Sequence, residues 1–275
     1  EEQNTHLFSI MNNYKIYNQL NSELNKTKYY KAKKDIPFIK LINLDYDLII
    51  NCDPNHLITK KFFFKKFEKK YNSLAFTTII NHKKKTFNNI ATQIFTDKGP
   101  IAFLPISNTE TSIVYSINNT NNQTYKTIKG LINSYNFRYK INKINKINYF
   151  RLNSLSLRSY YNGNILAFGD LLHRIHPLAG QGFNMTLRDI EKLLVIIQEK
   201  MDLGLPLDQN VCIQFQKIAK SNNLVFSEGI NFIYESFNFQ NKTKVNFIDK
   251  TVKLIGNNRL INRYFKKIAD EGLLK

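Results

Sequence analysis

Apolar positions along this chain recur with two different periods, and the alternation between them outlines its organisation. Residues 10–24, IMNNYKIYNQLNSEL, space Ile10, Tyr14, Tyr17, Leu20 and Leu24 at helical intervals and predict a helix. The stretch IPFIKLINLDYDLIINCD (36–53) ends in an apolar run that predicts a buried strand from Tyr46, closing on a turn at Asp53-Pro54-Asn55. The segment KKFFFKKFEKK (60–70) reads as a helix with three lysine-bearing sides and one buried face, with an aromatic–basic contact to an anionic bilayer the alternative. From 74 to 117 the runs LAFTTII, TQIF, GPIAFLPI and TSIVYSI are β-branched or aromatic and separated by polar residues, the pattern of an antiparallel sheet. Residues 121–136 return to the helical period, with Tyr125, Ile128, Leu131 and Ile132 on one face. Ile165-Leu166-Ala167-Phe168 then predict a strand. A helix follows from about Asn184 to Met201, striped by Leu187, Ile190, Leu193, Leu194 and Ile197. The remainder, 207–275, reads as helical and amphipathic with lysine-rich polar faces. Strand–helix stretches at both ends of a β-meander predict an α/β layer with a sheet domain inserted into it.

Composition changes this picture little, except in charge. The longest apolar runs, such as LLVII at 193–197, are too short to span a bilayer, and the opening EEQNTH is no secretory signal. Cys52 and Cys212 stand far apart and form no metal or redox motif, so a reduced, cytoplasmic setting is expected, with peripheral contact at an inner membrane left open. Forty Lys and Arg against 21 Asp and Glu give a formal charge of +19. That balance fits nucleic acid, an anionic membrane surface or plain compositional drift in a chain crowded with Lys, Asn and Ile. The basic residues form no single stripe and no nucleic-acid-binding motif is present, so nucleic acid is not an expected partner.

Candidate chemistry concentrates in GDLLHRIHPLAGQGFNMTLRD (169–189), which holds three of the ten glycines. It follows a strand, and a carboxylate at a strand's C-terminal edge, here Asp170, sits where open α/β sheets bind ligands and can accept hydrogen bonds from sugar-like hydroxyls. The glycines of HPLAGQG let backbone approach a ligand closely, and Asn184 is placed as N-cap of the following helix. A glycine loop entering a helix N-terminus suits a phosphate or a cofactor that gains negative charge. On spacing alone an anion or cofactor site and a structural turn with a buried histidine remain equal readings.

The stretch resembles the second flavin-binding motif of FAD-dependent aromatic hydroxylases, and in particular the ubiquinone-biosynthesis branch. Gly169, Asp170, His173, His176, Pro177, Gly180, Gln181, Gly182, Asn184, Arg188 and Asp189 match in register, eleven positions within 21 residues. GPIAFLPISNTETSIVYSI (99–117) is similar to the family's central substrate-domain strand, FQKIAKSNNLVFSEGINFIYESF (215–237) to its C-terminal helix, and IMNNYKIYNQL (10–20) to a segment ahead of its second flavin-contacting strand.

The resemblance implies an α/β fold: a Rossmann-like, three-layer FAD/NAD(P)-binding domain without its first βαβ unit, an inserted antiparallel β-sheet substrate domain and a C-terminal helical region. The implied division is 1–60 (partial FAD-binding domain), 61–150 (sheet), 151–202 (second flavin motif) and 203–275 (helical region). It also implies a chain that is a fragment, a split product or a decayed copy. Asp170 would hold the ribityl chain of FAD, beside Gly169, and the backbone of Gly180, Gln181, Gly182 and Asn184 would face the pyrimidine edge of the flavin. Pro177 would pack near its oxygen-reacting carbon, and Asp53 stands where the family contacts flavin or reductant. Phe103, Leu104 and Pro105 are candidate substrate-side walls, with plain sheet core the equal alternative. The implied activity is hydroxylation of a polyprenylated phenol in ubiquinone biosynthesis, with FAD, NAD(P)H and O2. No side chain stands out as a catalytic base. A non-catalytic relative that binds lipid or other proteins is the alternative.

Three departures bear on the choice, the first being that no strand–Gly-x-Gly-x-x-Gly–helix unit for the ADP half of FAD is present in the sequence. Asp53-Pro54-Asn55-His56 replaces the family's usual Asp-Gly-Ala-Asn-Ser, so a turn needing glycine would be reshaped. Leu171-Leu172 replaces two alanines, and Arg151 replaces a proline. The tail VKLIGNNRLINRYFKKIADEGLL (252–274) reads either as a basic amphipathic helix on an anionic bilayer or as a helix docked on its own domain.

Overall fold

The computed structural model describes residues 9–33, 46–118, 125–176 and 180–243. The chain divides into two compact units, Glu1–Ile36 with Asn72–Arg151 and Pro37–Tyr71 with Leu152–Lys275. The expected boundary at 60 compares with 71 here, because residues through Tyr71 belong with the second unit. No boundary falls at 203, since the helices on either side of it pack on one another. The tail at 252–274 lies outside the described residues, as do 36–45.

In the first unit, helix α1 (Asn13–Lys26) is capped by Asn12, whose Oδ1 accepts from the Tyr14 N–H at 2.9 Å. Its predicted apolar stripe is real but carries no buried residue. The sheet of this unit is built from β2 (Lys66–His82, from Asn72 on), β3 (Thr92–Thr96), β4 (Gly99–Pro105), β5 (Glu110–Asn118) and β6 (Ile141–Ile144). Strand β5 lies antiparallel between β2 and β4, with Ile80 opposite Thr111 and Phe103 opposite Ile113. Strand β3 continues from β4, and β6 pairs with β2. Strict alternation sends Ile101, Phe103, Ile113, Tyr115 and Ile117 to one face. Helix α3 (Tyr125–Tyr135) covers that face with Ile128, Leu131 and Ile132, as its period predicts.

In the second unit, β1 (Ile49–Asn51) and α2 (Leu57–Phe62) precede the N-terminal part of β2. The helix expected over 60–70 is corrected here. The α2 helix stops at Phe62, the N–H of Phe63 closes on the Thr59 carbonyl at 2.9 Å, and β2 starts at Lys66. Three successive phenylalanines favour an extended chain over a further helical turn. The unit continues through β7 (Asn148–Leu157, from Leu152 on), β8 (Tyr161–Asn162), β9 (Ile165–Ala167) and β10 (His173–Arg174) to α4 (Gly182–Asp202) and α5 (Gln209–Thr243). Its core gathers Phe63, Leu157, Tyr160, Leu166, Phe168, Leu172, Leu193, Ile196 and Phe215. The buried face of α4 is Met185, Asp189, Leu193, Ile196 and Lys200, so Leu187, Ile190 and Leu194 of the apolar stripe lie on its exposed side.

Gly99 adopts φ +131°, and a Cβ there would stand 2.2 Å from the Ser116 carbonyl oxygen on the neighbouring strand. Replacement by alanine combines backbone strain with a direct clash, so Gly99→Ala should lower unfolding stability by about 2–3 kcal/mol or more in denaturant titrations.

Candidate functional site

Three buried residues, Ile165, Leu166 and Ala167, make β9 the middle strand of a small sheet. It runs parallel to β1, with Ile49 opposite Ile165 and Asn51 opposite Ala167, and antiparallel to β8. Both parallel strands therefore end at one edge, where the Phe168 N–H donates to the Asn51 carbonyl at 2.9 Å. Cys52-Asp53 leaves one strand and Gly169-Asp170 the other at that same edge, the ligand-binding end of a parallel sheet.

Gly169 turns the chain with φ +65°, in open space, so conformation rather than room calls for glycine. A single 3-10 turn, Gly169–Leu171, follows, and the Leu172 N–H closes it on the Gly169 carbonyl at 2.9 Å. Leu171 and Leu172 bury completely in the core, whereas Asp170 is exposed. Among the described residues its carboxylate makes neither a hydrogen bond nor an ion pair.

The strand that follows is fixed from below. His173 pairs with Ser156 in the sheet and directs Nε2 to Asp189 Oδ2 at 2.8 Å. The same oxygen accepts from Asn223 Nδ2 at 2.9 Å, and Lys192 Nζ stands 3.7 Å from Oδ1. One carboxylate, 1% exposed, thus joins β10, α4 and α5. Burial pushes the neighbouring Lys192 ammonium below its ordinary range, with Arg188 adding to that shift and the Asp189 charge opposing it. Burial likewise pushes the Tyr160 phenol upward.

His176 is wholly buried. Its ring stacks on Tyr234 at 4.1 Å and meets Tyr71 edge-on at 5.1 Å, and the Tyr71 hydroxyl hydrogen-bonds Asn231. This apolar, aromatic setting lowers the imidazole to about 4. Pro177, and Ala179 with it, lie outside the described residues. Gly180 is exposed at φ +62°, and Gly182 opens α4 with nothing within 4 Å of a Cβ position. Asn184, expected as N-cap, instead sits inside the first turn and donates from Nδ2 to Gln181 Oε1 at 3.2 Å. Gln181 precedes the helix without a side-chain cap, and no acidic residue stands in the first turn. The positive end of α4 is therefore left to be answered by something else.

Asp53 has a different setting. Asp53-Pro54-Asn55-His56 forms a turn closed by the His56 N–H on the Asp53 carbonyl at 3.4 Å, and Asp53 Oδ1 accepts from the Asn55 N–H at 2.8 Å. Proline suits the second position of such a turn, so Pro54 is accommodated. Asn51 Nδ2 donates to Thr59 Oγ1 at 2.7 Å, and that hydroxyl donates to the Asp53 carbonyl at 2.6 Å. His56 Nδ1 caps α2 through the Ile58 N–H. Asp53 thus serves its own turn and stays exposed.

Phe103, Leu104 and Pro105 belong to the sheet unit. Phe103 and Pro105 point into buried positions, Phe103 stacking on Tyr139 at 6.1 Å, and Leu104 is half-buried on the opposite face. Sequence reasoning missed Asn223, Tyr71 and Tyr234, which complete the two buried clusters. Their only sequence signal was polar or aromatic residues at helix and strand positions that should have been apolar.

The residues present suit a flavin. Asp170 offers an unengaged carboxylate for a chain of hydroxyls, Gly180 and Gly182 leave open approaches, and an uncapped helix end favours developing negative charge. The matching family model is described as an FAD binding domain and covers residues 49–202. A mitochondrial ubiquinone biosynthesis monooxygenase COQ6 from Danio rerio is 24% identical over 216 residues, 62% of this chain and 45% of the relative. The 3-demethoxyubiquinol 3-hydroxylase of Escherichia coli K12 is 26% identical over 153 residues, 53% of this chain and 39% of the relative. This chain spans less than half the length of both. Among solved structures, OxyS anhydrotetracycline hydroxylase from Streptomyces rimosus superposes with a TM-score of 0.60 at 11% identity, covering 81% of this chain and 46% of that one, a likeness of fold.

Removing the Asp189 carboxylate leaves His173 and Asn223 with buried, unanswered donors. Asp189→Ala should cost about 3 kcal/mol in chemical unfolding. A second expectation concerns pH. The unfolded His176 imidazole takes a proton near 6.5 and the folded one only near 4. The unfolded state binds more protons between those values, so stability should fall as pH drops through that window, by up to about 3 kcal/mol. His176→Phe should flatten that part of a stability–pH curve.

Proposed function

The chain belongs to the FAD-binding-domain family, and from that premise we propose that it forms the flavin-holding part of a monooxygenase that hydroxylates the ring of a polyprenylated phenol in ubiquinone biosynthesis. The observation that carries this reading is the exposed Asp170 carboxylate, without a partner among the described residues, on the same buttressed loop as the uncapped start of α4.

In this reading Asp170 accepts hydrogen bonds from the hydroxyls of the ribityl chain, and Gly169 supplies the turn that presents it. The backbone N–H groups at Gly180, Gln181, Gly182 and Asn184 face the pyrimidine edge, where the helix dipole stabilises negative charge. Pro177 is proposed to border the reacting side. FAD, when bound, supplies the transfer of two electrons from NAD(P)H to O2 and the delivery of one oxygen atom to the ring. The balance is a ring C–H converted to C–OH, with the second oxygen atom leaving as water. The task of the protein's own residues is to bind, orient and exclude water. His173, Asp189 and Asn223 hold the turn, while His176 stays neutral between two tyrosine rings and adds no charge beside the loop.

The alternative of a non-catalytic relative rested on Pro54, on Leu171-Leu172 and on the absence of the first flavin motif. The two substitutions are accommodated, the proline in a regular turn and the leucines in a filled core, so neither favours it.

Asp170→Ala should weaken FAD binding by about 10–100-fold, the worth of hydrogen bonds to a charged acceptor. Flavin fluorescence quenching in titrations of the purified protein checks this, together with phenol-stimulated NAD(P)H oxidation. A protein that neither binds FAD nor responds to Asp170→Ala would overturn the reading.

A further inference from the structure

Residues 60–70, KKFFFKKFEKK, carry six lysines against one glutamate. Their fold exposes their rings. Phe63 closes α2 and buries in the core of its unit, which fixes the direction of the residues that follow. Phe64 is left 62% exposed and Phe67 64% exposed. Phe64 directly follows the buried Phe63, and Phe67 lies in the opening stretch of β2, where Lys66 to Lys70 are all exposed.

Cations surround both rings. Lys65 Nζ lies 5.8 Å from the Phe64 centroid, and the Arg158 guanidinium lies 5.5 Å from that of Phe67. The Arg158 N–H donates to the Lys65 carbonyl at 3.0 Å, and the Lys220 ammonium of α5 bonds the Arg158 carbonyl. The nearby carboxylates are engaged: Glu68 accepts from Asn153 and stands 3.4 Å from Lys66, and Glu235 pairs with Lys69. Lys60, Lys65 and Arg158 thus add positive charge around the exposed rings without a carboxylate paired to them among the described residues.

We propose that this surface docks on an anionic lipid bilayer, with Phe64 and Phe67 entering the headgroup layer and the surrounding lysines answering lipid charge. Phenylalanine brings no hydrogen-bonding edge, and the cations are lysines except Arg158, which is spent on a ring. Compact point charges suit a diffuse anionic surface, whereas base recognition favours the planar fork of arginine. The surface is independent of the flavin chemistry, so its failure leaves the hydroxylase reading standing.

The test is co-sedimentation of the full protein with vesicles of phosphatidylcholine alone or mixed with phosphatidylglycerol. Binding should appear only with the anionic vesicles and weaken as salt rises. Because other lysines could bind vesicles unspecifically, the double variant Phe64→Ser/Phe67→Ser decides: affinity should fall at least about ten-fold, with the thermal midpoint unchanged. Lys65→Glu/Lys66→Glu should do the same. The chain has no tryptophan, so Phe67→Trp gives a single reporter whose emission should shift to the blue on anionic vesicles alone. No binding to anionic vesicles, undiminished binding of the serine variant, or an unshifted Phe67→Trp emission would each overturn the proposal. So would preferential binding of a single-stranded RNA oligonucleotide through the same rings.

Discussion

The buried carboxylate of Asp189 is the constraint on which the site depends. Taking a charge out of water costs several kcal/mol unless donors replace the lost solvent; at Oδ2 His173 and Asn223 do so here, and the Lys192 ammonium stands 3.7 Å from Oδ1. These partners come from three elements, so satisfying one carboxylate sets the strand, the helix and α5 in register. His173 lies three residues after Asp170, and Asp189 seven residues after Gly182. The same bond therefore governs both where the exposed carboxylate leaves the sheet and where the helix begins. A site held to sub-ångström tolerance needs such support behind it.

The ring cluster extends that support. His176 immediately precedes residues 177–179 and is gripped by Tyr71 and Tyr234, while Met185 and Ile175 pack with Ile230 on the other side. Both flanks of the glycine loop are thereby tied to α5. An imidazole in this place, rather than a phenylalanine, couples that anchoring to acidity, because protonation would require a charge among aromatic rings.

Much of this was legible in the residues. The sheet strands from 74 to 117 follow from alternation alone, and α3 follows from Ile128, Leu131 and Ile132. The turn at Gly169, the exposed Asp170 and the helix after Gly180 were visible as a motif. The errors share a cause: periodicity reports which positions are apolar, not which side is covered. Helix α4 is apolar on two sides: of the stripe Leu187, Ile190, Leu193, Leu194 and Ile197 only Leu193 is buried, beside Met185 and Ile196 around Asp189. At 60–70 a lysine–phenylalanine mixture has no decisive period, and the burial of Phe63 ended the helix there. The residue type of Asn184 favours a cap, while the loop geometry puts Gln181 at the boundary. Long-range partners such as Asn223 leave no local trace at all.

The departures from the family pattern are absorbed by the fold: the bulk at Leu171 and Leu172 is taken up by a core with Leu157, Phe168 and Leu193, and each is 3% or less exposed. Pro54 occupies the turn position whose backbone angle it matches, and Asn51 and Thr59 bond across the turn to hold it. Against that adjusted background Asp170 remains a carboxylate on the surface with no internal partner among the described residues, in a chain with almost twice as many cations as anions. An open carboxylate at this edge of the parallel strands is what the proposed contact with the hydroxyls of a ribityl chain requires.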